Sequence, residues 1–350
     1  MEQGEGLWGA QRYLLRLAPL LAERGVEQIL AAPADSATAA AWRDRGWRHV
    51  VLPTPADRGL RGPDGRPSIP LTVREIGRTL QMAWRTARLA RRLDVDLLHA
   101  NSHWSHLEAV LASVLCGRPA LLVLHEENEP DLVGRLRGLA VLAAARTIAV
   151  SGAVAASLPG SAARRALVIR NGVDADLLRP GPADPAVRAQ MSDDPQAPLL
   201  LAMSRLDPRK GVDKVIRAVA GLPPDLAHTR LAIAGAPSLD PGNEAKLRKL
   251  GDELLGDRVR FLGARSDVPE LLRAADALVL ASSLEGLPLS VLEAQACGRP
   301  VVAFPTAGIP EVVVDGRTGL LARPGDVADL TAKLTRLLRD PDLAARLGRA

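Results

Sequence analysis

Apolar runs of strand length alternate with amphipathic helical stretches along nearly all of this 350-residue chain, and the alternation occurs twice. In the first half the runs are "EQILAAP" (27–33), "VDLLHA" (95–100), "ALLVLH" (120–125), "RTIAVS" (146–151) and "ALVIRNG" (166–172). Between them lie stretches such as "AQRYLLRLAPLLAERG" and "LEAVLASVLCGR". Near-continuous apolar strands separated by helices are the signature of a parallel sheet covered on both faces. From Asp174 to Ala197 the pattern stops in a stretch rich in Pro and Asp. It resumes with "PLLLAMS" (198–204), "TRLAIAG" (229–235), "RVRFLG" (258–263), "DALVLAS" (276–282) and "RPVVAF" (299–304). The expected architecture is α/β, with two Rossmann-like, doubly wound parallel-sheet domains facing across a cleft. The expected boundaries are 1–178 for the first domain, 179–197 for a linker and 198–350 for the second domain. Only about nine residues precede the first helical stretch, so the first strand of the N-terminal domain is expected to be missing.

Composition narrows the partners. Lys and Arg total 45 against 40 Asp and Glu, a net charge of +5. The surplus is scattered, with no basic run interleaved with aromatics, which argues against nucleic acid. It permits docking on a membrane surface. No apolar run reaches the roughly 18 residues of a membrane span, and residues 1–10 do not resemble a signal peptide. A cytoplasmic location is expected, with the inner face of the membrane as the surface within reach. The two cysteines, Cys116 and Cys297, lie in apolar segments and are expected to be buried free thiols.

The chemistry concentrates in "SSLEGLPLSVLEAQACGRPVV" (282–302). Glu285 follows a strand at its carboxyl end. Pro288 suits a first helical turn and Gly298 its C-terminal cap. The N–H groups near Gly286 and Leu287 would then form an anion-binding helix start, with Glu293 about one and a half turns in, able to reach a polyol. The loop "RLDPRKG" follows the strand 198–203 and carries Arg205 and Lys210, a planar fork and a point charge that can neutralise a diphosphate.

These segments, with "VVAFPTAGIPEVVVDGRTGLLARPGD" downstream and "WGAQRYLLRLAPLLAERG" and "VIRNGVD" upstream, resemble the family 4 retaining glycosyltransferases of the GT-B fold, glycosyl transferases group 1. The resemblance covers about residues 6–349, and its most specific part is the E-x7-E pair. It implies an enzyme of glycan or glycoconjugate biosynthesis that moves a sugar from a UDP- or GDP-linked donor to a glycan, lipid-linked or small-molecule acceptor. It further implies retention of anomeric configuration. Glu293 would bind the ribose, with Glu285 beside the transferred sugar and Arg205 and Lys210 on the diphosphate. His125, ending "ALLVLH", would lie near the reacting centre, making His125 and Glu285 the expected catalytic pair. The donor would also meet Gly286, Leu287, Pro288, the backbone near Leu262, and Gly9. Leu287 and Pro288 stand where members often carry an aromatic and a glycine, and Trp8 replaces one glycine of the N-terminal pair.

Other readings compete at particular places. "GEGLWG" matches G-x-G-x-x-G at Gly4, Gly6 and Gly9, but a dinucleotide site needs a strand before it, so a dehydrogenase is disfavoured. His99, His103 and His106 cluster, but with one on a strand and no cysteine nearby a metal site is not expected. Asp94 and Asp96 precede a strand at its amino end and read as capping residues. Glu126, Glu127 and Glu129 form an acidic loop after His125 that reads as solvent-facing. No cofactor or metal is expected beyond the donor. A sugar-nucleotide epimerase on the same fold, or a non-catalytic donor-binding subunit, are the alternatives. Product analysis with donor alone separates the first from transfer, and binding without turnover identifies the second.

Overall fold

A computed structural model describes residues 1–2, 6–54, 58, 68–237 and 241–350. The chain divides into two compact units, Met1–Arg170 and Asn171–Ala350. Residues 171–178, read from sequence as the end of the first domain, fall in the second unit. So does the stretch read as a linker, which contains a helix, Pro185–Met191, whose Val187 and Met191 enter that unit's core.

In the first unit, β1 (Leu30–Ala32) pairs in parallel with β2 (His49–Val51). A second parallel set runs β3 (Leu98–Ala100), β4 (Ala120–Leu124), β5 (Arg146–Ala149) and β6 (Ala166–Val168) in spatial as well as chain order. Among the described residues no strand precedes the helix Gly9–Ala22. Met1 and Glu2 nevertheless link the two sets: Glu2 N–H donates to the Ala31 carbonyl at 3.1 Å and Asn101 N–H to the Met1 carbonyl at 3.2 Å. Ala18, Leu30, Ala32, Ala39 and Trp42 form one core cluster. The long helix Ile69–Leu93 packs on the helix Ser105–Cys116. Arg58 ties the two, with Nε donating to Glu75 at 3.1 Å and an Nη to Glu108 at 2.6 Å, all three side chains being buried. A buried carboxylate needs such a partner, because an unpaired one would carry the full desolvation cost.

The second unit holds a six-stranded parallel sheet. Its strands are β7 (Leu199–Met203), β8 (Arg230–Ala234), β9 (Val259–Gly263), β10 (Ala277–Leu280), β11 (Val301–Ala303) and β12 (Gly319–Leu321). Their spatial order is β12-β11-β10-β7-β8-β9. Successive residues of β7 point into opposite layers. Leu200 joins the cluster with Val215, Ile216, Leu330 and Leu334, while Leu199 and Leu201 join the one with Leu271, Leu272 and Val291. This is the period-2 alternation of a strand buried on both faces. From β7 the chain builds outward through β8 and β9, then returns to the other side of β7 to lay down β10. The loops leaving β7 and β10 therefore part from neighbouring strands in opposite directions, the crevice where open α/β sheets bind ligands.

Candidate active site

At that crevice the loop after β7 and the loop after β10 are fastened together. The Ser283 N–H donates to the Arg209 carbonyl at 2.8 Å, and the Ser283 hydroxyl to the same oxygen at 3.2 Å. Gly211 takes a left-handed conformation, φ +63°, and a Cβ there would lie 2.1 Å from the Ala281 carbonyl oxygen. No side chain fits, so glycine is what lets the loops close. Gly235, after β8, is pressed equally hard, with its Cβ position 1.8 Å from the Ser204 carbonyl oxygen.

The fastened loops bring Lys210 to Glu285. Lys210 Nζ lies 2.8 Å from Glu285 Oε1, with both side chains mostly buried. The same ammonium reaches the Leu284 carbonyl at 3.5 Å. Arg205 stands 3.7 Å from Asp207. Burial alone would raise the Asp207 carboxyl. Hydrogen bonds from the Arg209 side chain and backbone, with the charges of Arg209 and Arg205, outweigh it and hold the carboxyl below its usual range. Asp207 also caps the short 3-10 turn Pro208–Lys210 by accepting from the Arg209 N–H at 2.9 Å, which fixes the start of the turn that presents Lys210.

The helix Leu289–Ala296 carries Glu293, which is buried. Pro288 precedes this helix as its N-cap rather than lying in the first turn, and Gly298 follows Cys297, the C-cap, with φ +71°. Gly286 and Leu287 are held by their carbonyls. The Gly308 N–H donates to the Gly286 oxygen at 2.9 Å, and the Asn171 side-chain amide to the Leu287 oxygen at 2.8 Å. Asn171 had no role assigned from sequence, and its Oδ1 is buried without a hydrogen-bond partner.

Leu262 lies inside β9, not in the loop after it. Phe261 pairs with Ile233 and Gly263 with Ala234, so Leu262 is the extra residue of a β-bulge. A bulge frees backbone groups from the ladder and re-aims them, and bulges recur beside active sites.

Gly9 and His125 belong to the first unit. Gly9 opens the helix Gly9–Ala22 and is exposed, with nothing within 4 Å of a Cβ there. Gly4 lies outside the described residues. His125 Nε2 is 2.8 Å from Asn101 Oδ1. The Asn101 amide nitrogen donates to Glu2 at 2.7 Å and to the Ala10 carbonyl at 3.0 Å. Its oxygen is thus turned to His125, which makes Nε2 the protonated ring nitrogen and Nδ1 the acceptor. Tyr13 meets the His125 ring edge-on at 5.1 Å. Burial pushes the imidazole down to about 4, so it is neutral at pH 7. Asn101 was missed in the sequence; its only signal was its place directly after β3.

Two of the clustered histidines have protein partners. His106 Nε2 donates to the Val123 carbonyl at 3.0 Å, and His103 lies against Arg137. Among the described residues no three His, Cys, Asp or Glu side chains are grouped as metal ligands. Asp94 ends the helix Ile69–Leu93 in the left-handed region and pairs with Arg118 at 2.7 Å. Glu126 and Glu127 are half-buried and Glu129 is exposed. Cys297 is buried, but Cys116 is only half-buried, because it ends a helix one residue before Gly117.

Two parallel-sheet α/β units, with the E-x7-E pair and a loop lysine at the crossover crevice of the second, are the features of the GT-B class of protein. Residues 8–177 match Glycosyltransferase Family 4 and residues 185–350 match Glycosyl transferases group 1. The chain belongs to the group 1, family 4 GT-B glycosyltransferases. It is 35% identical over 267 residues to a D-inositol 3-phosphate glycosyltransferase of Mycobacterium sp. (strain JLS), covering 74% of this chain and 56% of that protein. It is 33% identical over 273 residues to the Mycolicibacterium smegmatis protein of the same name, covering 76% and 59%. The chain thus spans less than two thirds of these relatives. Among solved structures, Anabaena Alr3699/HepE in complex with UDP and glucose superposes with a TM-score of 0.80 at 25% identity, covering 99% of this chain and 91% of that one. A sucrose-phosphate synthase from Thermosynechococcus elongatus shares the fold, with a TM-score of 0.76 at 22% identity, covering 97% and 87%.

Proposed function

We propose that the protein is a glycosyltransferase that takes a sugar from a UDP- or GDP-linked donor and passes it to a glycan, lipid-linked or small-molecule acceptor hydroxyl, with retention of configuration. The observation that carries this is the Lys210–Glu285 pair, held at the sheet crossover eight residues before the buried Glu293. Arg205 and Lys210 hold the diphosphate, and Glu293 accepts hydrogen bonds from the ribose hydroxyls. The bulged backbone at Leu262 meets the base, and Gly286, Leu287 and Pro288 line the sugar side with Glu285. Gly9, exposed at the start of its helix, is the first unit's own candidate for a backbone contact. A diphosphate competes with Glu285 for the Lys210 ammonium, so donor binding releases the carboxylate toward the sugar. The HepE complex with UDP and glucose supports a uridine donor.

In the reaction the bond from the anomeric carbon to the diphosphate oxygen breaks and a bond to the acceptor oxygen forms on the same face. The acceptor proton passes to the leaving phosphate. Charge growing on that phosphate is met by fixed cations, the kind of preorganised stabilisation that dominates such barriers, and no metal is invoked. His125, neutral and donating to Asn101, offers Nδ1 as an acceptor to an incoming hydroxyl. We place the enzyme in the cytoplasm, at the inner face of the membrane. The family match favours transfer over the epimerase reading.

A thermal-shift screen with UDP, GDP, ADP and their sugar conjugates tests the reading. One nucleotide should stabilise the chain by about 2.7 kcal/mol at a hundredfold excess over its dissociation constant. Stabilisation by none of them overturns it.

A further inference from the structure

We propose that Asn171 reads the sugar carried by the donor. Its side-chain nitrogen fixes the loop between Glu285 and the helix Leu289–Ala296, and its Oδ1 accepts a hydroxyl of the transferred sugar. The sugar contact rests on the transfer reading above; the fixing of the loop does not.

Asn171 is the first residue of the second unit. Its Nδ2 donates to the Leu287 carbonyl at 2.8 Å, across 116 residues of chain. Only the nitrogen of an amide can face a carbonyl oxygen, so the group has one orientation, with Oδ1 left over. That oxygen is buried and meets no donor. A buried acceptor in this state has given up water without regaining a bond, and folded chains rarely keep one without a reason. An apolar side chain of the same size would avoid the cost but could not hold Leu287. Oδ1 is suited to a donor that arrives with a ligand.

The surroundings of Asn171 say which part of the ligand brings that donor. Four carbonyls of the loop are taken by protein groups. The Thr306 hydroxyl donates to Ser282 at 2.6 Å, Lys210 Nζ to Leu284 at 3.5 Å, the Gly308 N–H to Gly286 at 2.9 Å, and Asn171 to Leu287. The peptide between Leu287 and Pro288 has no N–H, because the second residue is proline. At the peptide that Asn171 fixes, the backbone therefore offers a ligand neither a free carbonyl nor a donor, and polar contact falls to the Asn171 side chain. This stretch lies two residues beyond Glu285, on the side assigned above to the sugar. Arg205 and Lys210 are assigned to the diphosphate and Glu293 to the ribose, so the hydroxyls of the sugar are the donors that remain for Oδ1.

Calorimetry with UDP, GDP and ADP and with their glucose conjugates tests the proposal, together with hydrogen exchange over residues 284–290. In the ligand-free chain Asn171→Ala should speed exchange across that segment by about tenfold, with urea midpoints confirming that the fold survives. For the nucleotide that binds, Asn171→Ala should leave the bare diphosphate within about threefold and weaken the glucose conjugate by about tenfold. Conjugates lacking the glucose hydroxyl at C2, C3, C4 or C6 in turn should single out one position. Its loss should cost the wild-type chain about tenfold and the variant nothing, the mark of a direct pair. The sugar contact is overturned if Asn171→Ala weakens nucleotide and conjugate by the same factor, or if no single hydroxyl matters to the wild-type chain. Unchanged exchange over 284–290 overturns the fixing of the loop. Should the variant not fold, the hydroxyl series on the wild-type chain still decides the contact, since it needs no substitution. A wild-type chain that binds none of the nucleotides sinks the transfer reading and the sugar contact with it, whereas equal losses in a chain that does bind sink only the role of Asn171.

Discussion

Lys210 and Glu285 neutralise each other across 2.8 Å, so removing either leaves a mostly buried charge as well as taking away a proposed ligand contact. Lys210→Ala should lower turnover by about 100-fold or more and weaken diphosphate binding, measured by steady-state kinetics and calorimetry with the nucleoside diphosphate. Glu293→Ala should weaken the nucleoside diphosphate with no sugar attached; unchanged affinity would remove Glu293 from the ribose. His125→Ala should spare nucleotide affinity while reducing transfer, and normal turnover would return His125 to a packing role. His125 also sets a pH dependence. Its folded value, about 4, lies below the ordinary histidine value of 6.5 because burial disfavours the imidazolium, and burial likewise lowers His106. Between those values the unfolded chain binds more protons, so stability rises with pH there and is full above about 6.5. Urea midpoints should fall as pH drops from 6.5 toward 4, and His125→Asn should flatten that slope.

At the level of elements, the long apolar strands were legible because burial on both faces leaves continuous runs of Leu, Val, Ala and Ile. Every run named from sequence contains a strand. β2 and β12 escaped notice, being three-residue strands at the sheet edges with too few side chains for a pattern. Register was equally invisible, and with it the bulge at Leu262, because which residue is skipped depends on the partner strand. The E-x7-E spacing and the cations were readable, whereas the supports were not: Asn101 and Asn171 act through backbone or side-chain partners distant in sequence. Gly211 tests how tightly the loops after β7 and β10 must close. Gly211→Ala adds a Cβ 2.1 Å from the Ala281 oxygen at a positive φ, and should destabilise the chain by about 1–3 kcal/mol and weaken nucleotide binding along with it. Denaturant unfolding with and without nucleotide measures both.

Considered whole, the molecule is two parallel-sheet units, and Arg205, Lys210 and Glu285 sit on loops at the carboxyl ends of strands, while the helices between supply layers of core and one of them carries Glu293. Parallel neighbours in these sheets are joined only by crossovers. β7 and β10 lie side by side although β8, β9 and several helices separate them in the chain. Lys210 therefore meets Glu285 only once the third quarter of the polypeptide has been laid down and folded back. A ribosome-bound chain that has emerged no further than β9 holds one wall of the proposed nucleotide site and not the other. Capacity to bind the donor should thus be acquired late in synthesis, as a property of the finished sheet rather than of any segment.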